Sequence, residues 1–502
     1  MAARPIHRTR RAKIICTLGP STDDEGADGH ILESLVRQGM DAARLNLSFG
    51  TVEENVRRIH RLRALAGPTQ RPVAIIADLP GRKLRLGSLR ERVVRLATGE
   101  VARFVPDEGQ DGEAQGLPVP LAFFHDNMSP GDAILLSDGV VELVVRSVGK
   151  HQVDAEVIFG GSVGERTSIH MHGMHVSGSP ITDGDAPLLE MAVKEDVDYI
   201  AVSWISDDRD ILSVRERLAE LGRDIPIIAK IERPEAFSRL DGILRRADAV
   251  MIRRGDLGAQ LEVTRVPLVQ KEIMRLANRA GVPVIIATQM LGSMIAAPRP
   301  SRAEASDVSN AIADGADGVL LSAETAIGAY PAESVNMMAR IIRETEREGV
   351  HRLGPAARDA EEATFADTTA SIAVDAAERV NARLIACFTE SGRTARLVSK
   401  YRPAAPILAF CPDPRTRRQL SVIWGIRTDS MTSDHRDIEA MITRVEARLS
   451  SSQLAEPGDR VVLVFGSPMG TAGRTNTVRL HRVGSRATKA GDPQSVASSD
   501  GA

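Results

Sequence analysis

A regular alternation of short apolar runs and amphipathic stretches constrains this chain more than any other feature of its sequence. Continuous apolar strands that alternate with helices are typical of a parallel sheet covered on both faces. Eight such units predict closure into a (β/α)8 TIM barrel, and the absence of a glycine-rich dinucleotide fingerprint disfavours an open, doubly wound sheet. The eight runs are AKIICTL (from Ala12), AARLNLS (from Ala42), PVAIIADL (from Pro72), DYIAVSW (from Asp198), PIIAKIE (from Pro226), AVMIRRGD (from Ala249), PVIIATQM (from Pro283) and GVLLSAET (from Gly318).

The interval between the third and fourth runs is too long for a single helix. The third run ends near Asp78 and the fourth begins near Asp198. The sequence between them alternates apolar and polar residues, as in AILLSDGVVELVVRSV and HQVDAEVIFGG, with Gly and Asp-Gly turns. This pattern predicts a small all-β domain inserted at residues 88–170. Because the loops that follow barrel strands lie on the catalytic face, the insertion is placed to act as a lid.

The rest of the chain predicts a separate α/β domain. A polar stretch, LGPAARDAEEATF, follows the eighth unit and has the composition of a linker. A helical segment, ASIAVDAAERV, and the apolar runs RLIACFT, APILAFC and RVVLVFG come after it. We therefore divide the chain into a catalytic barrel (1–87 and 171–352), the lid (88–170), a C-terminal α/β domain (353–485) and a disordered tail (486–502).

Composition and charge exclude several classes of function. The 64 Lys and Arg residues nearly balance the 67 Asp and Glu residues, and aromatic residues make up only 3%. Such a chain offers no general basic field for nucleic acid or membranes, and few platforms on which bases can stack. No apolar run approaches the roughly 20 residues that span a bilayer. Three dispersed cysteines without a C-x-x-C pair suit the reducing cytoplasm.

Polar and charged residues collect at the carboxyl ends of the predicted strands, where barrel enzymes carry their active sites. Lys230 and Glu232 are two residues apart on a strand and therefore share a face. Glu232 and Asp256, from the next strand, are the two carboxylates by which Mg²⁺ is usually bound, the other ligands being water and substrate. With Arg44 across the barrel mouth, these charges predict a centre for phosphoryl transfer. The competing interpretation is a set of structural salt bridges at the barrel rim.

A dense histidine group follows the predicted lid. His170, His172 and His175 have a spacing that can bind a metal ion, but we expect a solvated loop there.

Several long motifs resemble the pyruvate kinase family. The resemblance covers roughly residues 11–484. It is carried by KIICTLGPST, ARLNLSFG (similar to the family's R-x-N-x-S-H-G), IIAKIERPEA, MIRRGDLG, PVIIATQML, PRPSRAEASDVSNAIADGADGVLLSAETAIGAYP, SGRTARLVSKYRP, QLSVIWGI and GRTNTVRLHRVG.

The resemblance implies a reaction and the residues that perform it. The enzyme would transfer the phosphoryl group of phosphoenolpyruvate to ADP, giving pyruvate and ATP in glycolysis. The implied catalytic residues are Lys230, Arg44 and Thr288, and the implied substrate-binding residues are Arg44, Gly255, Asp256, Thr288 and Ser322.

The resemblance also implies sites for metal ions and for the nucleotide. Glu232 and Asp256 would hold Mg²⁺, with Mn²⁺ as a substitute. The nucleotide would lie near Arg85 and Asn46. The residues of the family's monovalent-cation site correspond here to Asn46, Ser48 and Asp78.

The chain departs from the family pattern at several of these positions. Lys83 stands where potassium-dependent members have a glutamate, so its ammonium group would replace the charge of K⁺ and we expect no potassium requirement. Phe49 replaces the signature histidine, Arg253 an alanine and Gln260 a glutamate. The family's K-G-x-N-L-P stretch has become TSIHMH at residues 167–172.

In the C-terminal domain, a strand leads through a turn into a helix. Such a turn offers exposed N–H groups to a phosphate, while a plain turn or a subunit contact is an equal alternative. By resemblance this is the sugar-phosphate effector site, and Glu390 favours a sugar monophosphate or no effector over a bisphosphate. The family is typically homotetrameric. The implied effector residues are Thr389, Ser391, Gly392, Arg393 and Thr394.

Two other functions stay open at this point. A different barrel enzyme acting on pyruvate or phosphoenolpyruvate, such as a mutase or an aldolase, would share the metal-binding acids. A weakly active, specialised paralogue would act as an effector-binding sensor.

Overall fold

The computed structural model describes residues 10–23, 30–69, 71–91, 93–107, 116–120, 128–171, 178–349, 364–431, 438–467 and 474–484. These residues belong to two compact units. The larger unit lies within 10–357 and includes 418–424, and the smaller unit takes the other residues from 358 onwards. The expected tail, 486–502, lies outside the described residues.

The strands alternate with helices along most of the chain, as the sequence predicts. In chain order the strands are β1 (Lys13–Leu18), β2 (Ala42–Asn46), β3 (Ala74–Asp78), β4 (Val93–Leu96), β5 (Val101–Pro106), β6 (Leu117–Val119), β7 (Ala133–Leu136), β8 (Val141–Gly149), β9 (Gln152–Phe159), β10 (Gly161–Gly164), β11 (Ile169–Met171), β12 (Tyr199–Val202), β13 (Ile227–Ile231), β14 (Ala249–Arg253), β15 (Val284–Ala287), β16 (Gly318–Leu321), β17 (Leu384–Phe388), β18 (Ile407–Phe410), β19 (Ile426–Asp429), β20 (Arg460–Phe465) and β21 (Thr477–Arg482).

The helices of the larger unit follow its strands. They are α1 (Pro20–Asp23), α2 (Ile31–Gln38), α3 (Val52–Thr69), α4 (Ala186–Lys194), α5 (Asp208–Glu220), α6 (Pro234–Ser238), α7 (Leu240–Arg246), α8 (Arg254–Gln260), α9 (Val266–Ala280), α10 (Arg302–Ala313), α11 (Ala323–Ala326) and α12 (Pro331–Arg347). Helices α13 (Phe365–Arg379) and α14 (Arg393–Lys400) belong to the smaller unit, and the boundary between the units falls within α15 (Pro414–Gln419). The last helix, α16 (Ile438–Ser451), also belongs to the smaller unit.

Eight parallel strands close the predicted barrel. Their order around it is β1, β16, β15, β14, β13, β12, β3 and β2. Strands such as β3 and β13 are buried along their whole length, because one face packs inside the barrel and the other packs under helices. This burial on both faces explains why the eight sequence runs are continuously apolar. The prediction of a TIM barrel is confirmed.

Four aspartates pin the amino ends of the barrel strands together. Asp41 precedes β2 and accepts the backbone N–H of Ile14 in β1 at 2.9 Å. The same bond recurs on three further neighbouring pairs of strands, at 2.8 to 3.0 Å. The three repeats join Asp198 to Ile75, Asp248 to Ile227 and Asp317 to Val284.

Within the described residues, the insertion between β3 and α4 consists of strands and one 3-10 turn at Ser137–Gly139, which agrees with the predicted all-β lid. One sheet runs in the order β11, β7, β8, β9, β5 and β6, and β4 pairs with β10 in a second sheet. The buried residues alternate along β8 and β9, which is the signature of a sheet with one buried face. Arg85, on the chain that leaves β3, forms an isolated bridge with Ser168 just before β11. The two ends of the insertion therefore meet beside the barrel mouth.

The smaller unit contains a five-stranded sheet in the order β19, β18, β17, β20 and β21. All neighbours are parallel except β20 and β21. Helices α13, α14 and α16 complete the α/β arrangement that the sequence predicts. Among the described residues of either unit, none of the helices is both long enough and apolar enough to cross a membrane.

Candidate active site

The carboxyl ends of the barrel strands bring the predicted charged residues into one buried cluster. Arg44 lies in β2, Asp78 ends β3 and Lys230 lies in β13, with Glu232 immediately after that strand. Asp256 lies in the first turn of α8, which follows β14 without a loop. Each of these side chains is at least 95% buried. Charges buried this deeply persist only when they are paired, so their partners decide what the cluster can do.

Asp78 holds two cations in fixed positions. One carboxylate oxygen accepts a hydrogen bond from Arg44 Nε at 2.6 Å, and the other accepts one from Lys230 Nζ at 3.0 Å. Burial raises the pKa of Asp78, but the charges of Lys230, Arg44 and Arg253 lower it by more, so the pKa lies below its usual range. The carboxylate therefore stays ionised and keeps both cations in place.

Lys230 and Glu232 share a face of β13, as the spacing predicts. Lys230 Nζ lies 3.2 Å from Glu232 Oε1 and also donates a hydrogen bond to Ser203 Oγ. Glu232 Oε2 accepts the backbone N–H of Trp204 at 2.8 Å. Ser203 and Trp204 follow β12, and sequence reasoning assigned them no role. The available signal was the polar serine at the end of the apolar run DYIAVSW.

Asp256 contacts two cationic side chains and a histidine. Lys83 makes an ion pair with Oδ1, and Arg253 Nε donates to Oδ2 at 2.9 Å. His170 Nε2 lies 3.4 Å from Oδ1. Burial raises the pKa of Asp256, but the charges of Lys83, Arg253 and His170 hold it well below its usual range.

The expectation of a solvated loop around the histidine group is wrong at His170. This side chain is fully buried, and its ring stacks on that of Trp204 with 6.5 Å between centroids. The reason is β11, which pairs with β7 and carries His170 from the lid against the barrel mouth. His172 and His175 lie outside the described residues.

A strained strand end lies beside Gly255. Thr288 and Gln289 follow β15 with φ angles of 73° and 56°, a region that non-glycine residues rarely adopt. The backbone N–H of Gly255 donates to Thr288 Oγ1 at 3.0 Å. Arg254 supports this turn by donating to the carbonyl oxygens of Thr288 and Gln289 at 2.6 and 3.0 Å. The sequence analysis assigned Arg254 no role.

Arg85 and Phe49 form one wall of the barrel mouth. The Arg85 guanidinium lies 5.8 Å from the Phe49 ring centroid, and Phe49 is 52% exposed. Arg85 also approaches Ser48 Oγ at 3.5 Å. Asn46 Oδ1 accepts the backbone N–H of Ser48 at 3.4 Å. Arg85, from the chain after β3, therefore lies against the end of β2 and the residues that follow it.

Ser322 lies between β16 and α11, at the carboxyl end of the last barrel strand. Its backbone N–H donates to Glu324 Oε2 at 2.6 Å. Its hydroxyl oxygen is buried and has no hydrogen-bond partner among the described residues, so it is available to a ligand.

Comparisons with known proteins agree with this architecture. A family model described as "Pyruvate kinase, barrel domain" matches residues 9–335, and one described as "Pyruvate kinase, alpha/beta domain" matches residues 367–481. The chain belongs to the pyruvate kinase family. The family resemblance that the sequence motifs indicate is thus confirmed, and with it the assignment to phosphotransferase enzymes.

Curated pyruvate kinases match the chain over nearly its whole length. The chain is 40% identical to a pyruvate kinase of Corynebacterium efficiens over 476 residues, which covers 95% of this chain and 98% of that protein. It is 38% identical to a pyruvate kinase of Mycobacterium tuberculosis, covering 95% of this chain and 99% of that protein. A pyruvate kinase of Agrobacterium vitis is also 38% identical, over 484 residues.

Two departures from the pyruvate kinase pattern meet at one carboxylate. Lys83 and Arg253 are 170 positions apart in the sequence, and both pair with Asp256. Burial lowers the pKa of Arg253, but Asp256 and Glu232 raise it by more, so its guanidinium stays charged.

The sequence-predicted effector residues of the smaller unit lie between β17 and α14. Gly392 has a φ angle of 81°, which favours glycine, and it precedes the first residue of α14. Thr394 Oγ1 lies 2.7 Å from Thr475 Oγ1, so the segment after residue 473 approaches this turn. Glu390, Ser391 and Arg393 are exposed.

Proposed function

We propose that this pyruvate kinase family member transfers the phosphoryl group of phosphoenolpyruvate to ADP, giving pyruvate and ATP in glycolysis. The observation that carries the proposal is the buried ammonium group of Lys230, which Asp78 and Glu232 hold at 3.0 and 3.2 Å. A fixed cation in a site that excludes water stabilises charge on a transferring phosphoryl group far better than a solvated one.

Each step has a residue in place for it. Arg44 would bind the phosphate, while Lys230 would neutralise charge on the phosphoryl group as its bond to the enol oxygen breaks and a terminal ADP oxygen attacks. The backbone at Gly255 and Asp256, with Thr288, would hold the substrate carboxylate. The enolate that remains takes a proton at its methylene carbon to give pyruvate, on the route beside Thr288. Ser322 would complete the substrate site.

Glu232 and Asp256 would hold the catalytic Mg²⁺, or Mn²⁺ in its place. Glu232 Oε1 is buried and accepts no hydrogen bond among the described residues, as expected of an oxygen that can serve as a ligand. Within that same part of the chain no group of three or more His, Cys, Asp or Glu could hold a metal, so the other ligands would come from substrate and water. When bound, the ion would supply positive charge to the phosphoryl oxygens.

Potassium is not part of the proposed site. Lys83 lies in the barrel mouth with its ammonium group on Asp256, and it would supply the monovalent charge. Asn46, Ser48 and Asp78 would then line a cation site that the chain no longer needs. A KCl titration at constant ionic strength tests this: we expect activity without potassium, and a strong requirement would contradict it.

The nucleotide would lie along Arg85 and Asn46. The exposed Phe49 ring beside Arg85 provides an apolar face in place of the family's histidine. This wall supports the placement of ADP at the mouth, under the lid.

The proposal extends to the rest of the molecule. We assign the barrel to 1–87 and 171–352, the lid to 88–170 and the C-terminal domain to 353–485, in a cytoplasmic homotetramer. Either the enzyme has no effector or a sugar monophosphate would bind at Thr389, Ser391, Gly392, Arg393 and Thr394, where the exposed Glu390 disfavours a bisphosphate.

The decisive experiment measures pyruvate formation from phosphoenolpyruvate, ADP and Mg²⁺ without potassium, with Lys230→Met as the control. We expect turnover in the natural protein and its loss in the control. Absence of turnover, even with potassium and several nucleoside diphosphates, would contradict the proposed function.

A further inference from the structure

Seven charged side chains form what we call the mouth cluster: Arg44, Asp78, Lys83, Lys230, Glu232, Arg253 and Asp256. Four of them are cationic and three are carboxylates, so the mouth cluster carries an excess of one positive charge before any ligand binds. Arg253 replaces an alanine of the family pattern and so adds a positive charge to the mouth cluster.

Arg253 occupies a special place in the mouth cluster. It ends β14, and its Nε lies 2.9 Å from Asp256 Oδ2 and 3.5 Å from Glu232 Oε1. Lys83 contacts the first of these carboxylates and Lys230 the second. Arg253 thus bridges the two acids that are proposed to share the divalent metal, and its guanidinium lies where positive charge from that metal would act.

We propose that Arg253 is an internal counter-cation that makes the binding of the divalent metal depend on the anionic substrate. This inference rests on the proposed function, because it takes Glu232 and Asp256 as the metal ligands. Arg253 is a positioning residue in this role, since it acts through the two carboxylates.

The physical reason is Coulomb repulsion in a buried site. Adding a divalent ion to the mouth cluster would raise its excess charge from one to three. At ion-pair distances, repulsion between a unit charge and a divalent ion changes affinity by well over tenfold even at an effective dielectric constant of about 20. A substrate that carries a phosphate and a carboxylate cancels this excess. Metal and substrate should therefore each strengthen the binding of the other by the same factor.

The test measures Mn²⁺ binding to the full chain without ADP, from the electron paramagnetic resonance signal of the free ion. The proteins compared are the natural chain, Arg253→Ala and Arg253→Lys, each with and without phosphoenolpyruvate. Without phosphoenolpyruvate we expect Arg253→Ala to bind Mn²⁺ about tenfold or more tightly than the natural chain, and Arg253→Lys to resemble the natural chain. With phosphoenolpyruvate present, the difference in Mn²⁺ affinity should shrink to about threefold or less. The reason is that the negative charge of the substrate offsets the positive charge of Arg253 in the natural chain.

Several outcomes would overturn the inference. Equal Mn²⁺ affinity of Arg253→Ala and the natural chain without phosphoenolpyruvate would show that Arg253 does not oppose the metal. Arg253→Lys behaving like Arg253→Ala would show that shape rather than charge decides. If the natural chain binds no Mn²⁺ even with phosphoenolpyruvate, the proposed metal site itself fails, which separates that failure from the failure of the inference.

A second variant protects the test against misfolding. Lys83→Met keeps the length and volume of its side chain and removes the other cation on Asp256. It should tighten Mn²⁺ binding without phosphoenolpyruvate in the same direction, and circular dichroism at the binding temperature shows that each variant is folded. Weaker Mn²⁺ binding in folded Lys83→Met would count against the counter-cation role.

Discussion

The two ends of the barrel use the same kinds of charged residue in opposite ways. At the amino ends, Asp41 accepts a backbone N–H from the neighbouring strand and pairs with Arg10 and Arg71 at 2.7 and 2.8 Å. At the carboxyl ends, the described hydrogen bonds of the Asp78 carboxylate come from the side chains of Arg44 and Lys230. The Asp41 carboxylate thus accepts a hydrogen bond from the sheet backbone, whereas the Asp78 carboxylate pairs with side chains that a ligand can also approach.

This difference shows how one barrel separates stability from chemistry. A carboxylate that accepts backbone N–H groups fixes the register of two strands, and a ligand has no way to replace those bonds. In the mouth cluster the charges are paired mainly with one another, although Glu232 also accepts the backbone N–H of Trp204. They leave a positive excess, so an anionic ligand improves the balance.

Replacing Lys230 should separate catalytic turnover from folding stability most sharply. We expect Lys230→Met to reduce turnover by about 10³-fold, because the loss of one preorganised charge donor costs roughly 3–4 kcal/mol in the transition state. The unfolding free energy should fall by less than in Asp41→Ala, because Asp78 keeps Arg44 and Glu232 keeps Arg253 as cationic partners. Steady-state kinetics and denaturant unfolding measure the two quantities. A large loss of stability with unchanged turnover would reverse the assignment.

Removing the Asp41 carboxylate should have the opposite effect, lowering stability while turnover is kept. We expect Asp41→Ala to lower the unfolding free energy by about 3 kcal/mol, because Arg10 loses a buried partner and the Ile14 N–H loses its acceptor. The turnover number of the protein that remains folded should stay within about twofold, as Asp41 lies at the far end of the strands from the mouth cluster. Unfolding at 25 °C with activity per folded molecule checks both parts. A selective loss of turnover would break the comparison.

Reversing the charge at Lys83 should make the mouth cluster depend on an added cation. We expect Lys83→Glu to lose about tenfold or more of its activity without potassium, because a carboxylate would face Asp256 where an ammonium group now pairs with it. Potassium chloride should restore much of that activity, and choline chloride at equal ionic strength is the control. Equal activity with both salts would argue against the charge-replacement role of Lys83.

Acid should gradually weaken the contribution of Asp41 to stability. Burial raises the pKa of Asp41, but Arg10, Arg71 and Lys13 lower it by more, so the folded pKa lies below the unfolded value of about 4. The stability from this ionised group is fully present above that unfolded value and is lost as the pH falls towards the folded pKa. The stability difference between the natural chain and Asp41→Asn should therefore shrink by at least about 1 kcal/mol between pH 6 and pH 3. Urea unfolding across this range measures it, and a constant difference would contradict the assigned pKa shift.

Much of the fold follows from the sequence by itself. Each of the eight apolar runs contains a barrel strand, from Lys13–Leu18 to Gly318–Leu321, because a strand buried on both faces must be apolar throughout. The Ser-x-x-Glu pattern from Ser301 to Glu304 is that of a capping box, and at the start of α10 Ser301 accepts the N–H of Glu304, whose carboxylate accepts the N–H of Ser301. Parallel strands present their carboxyl ends at one edge, so the strand-end residues were predictably close to one another.

The pairing of these residues was decided only by the tertiary structure. Periodicity identifies which face a side chain occupies but carries no information about partners that lie far away in the chain. Lys83 and His170 reach Asp256 from the two ends of the lid insertion, and Arg253 reaches it from the preceding strand end. The sequence determined that a charged barrel mouth would exist. The folding of the lid against it determined which charges are already compensated, because Coulomb energy depends on distances that only the folded chain sets.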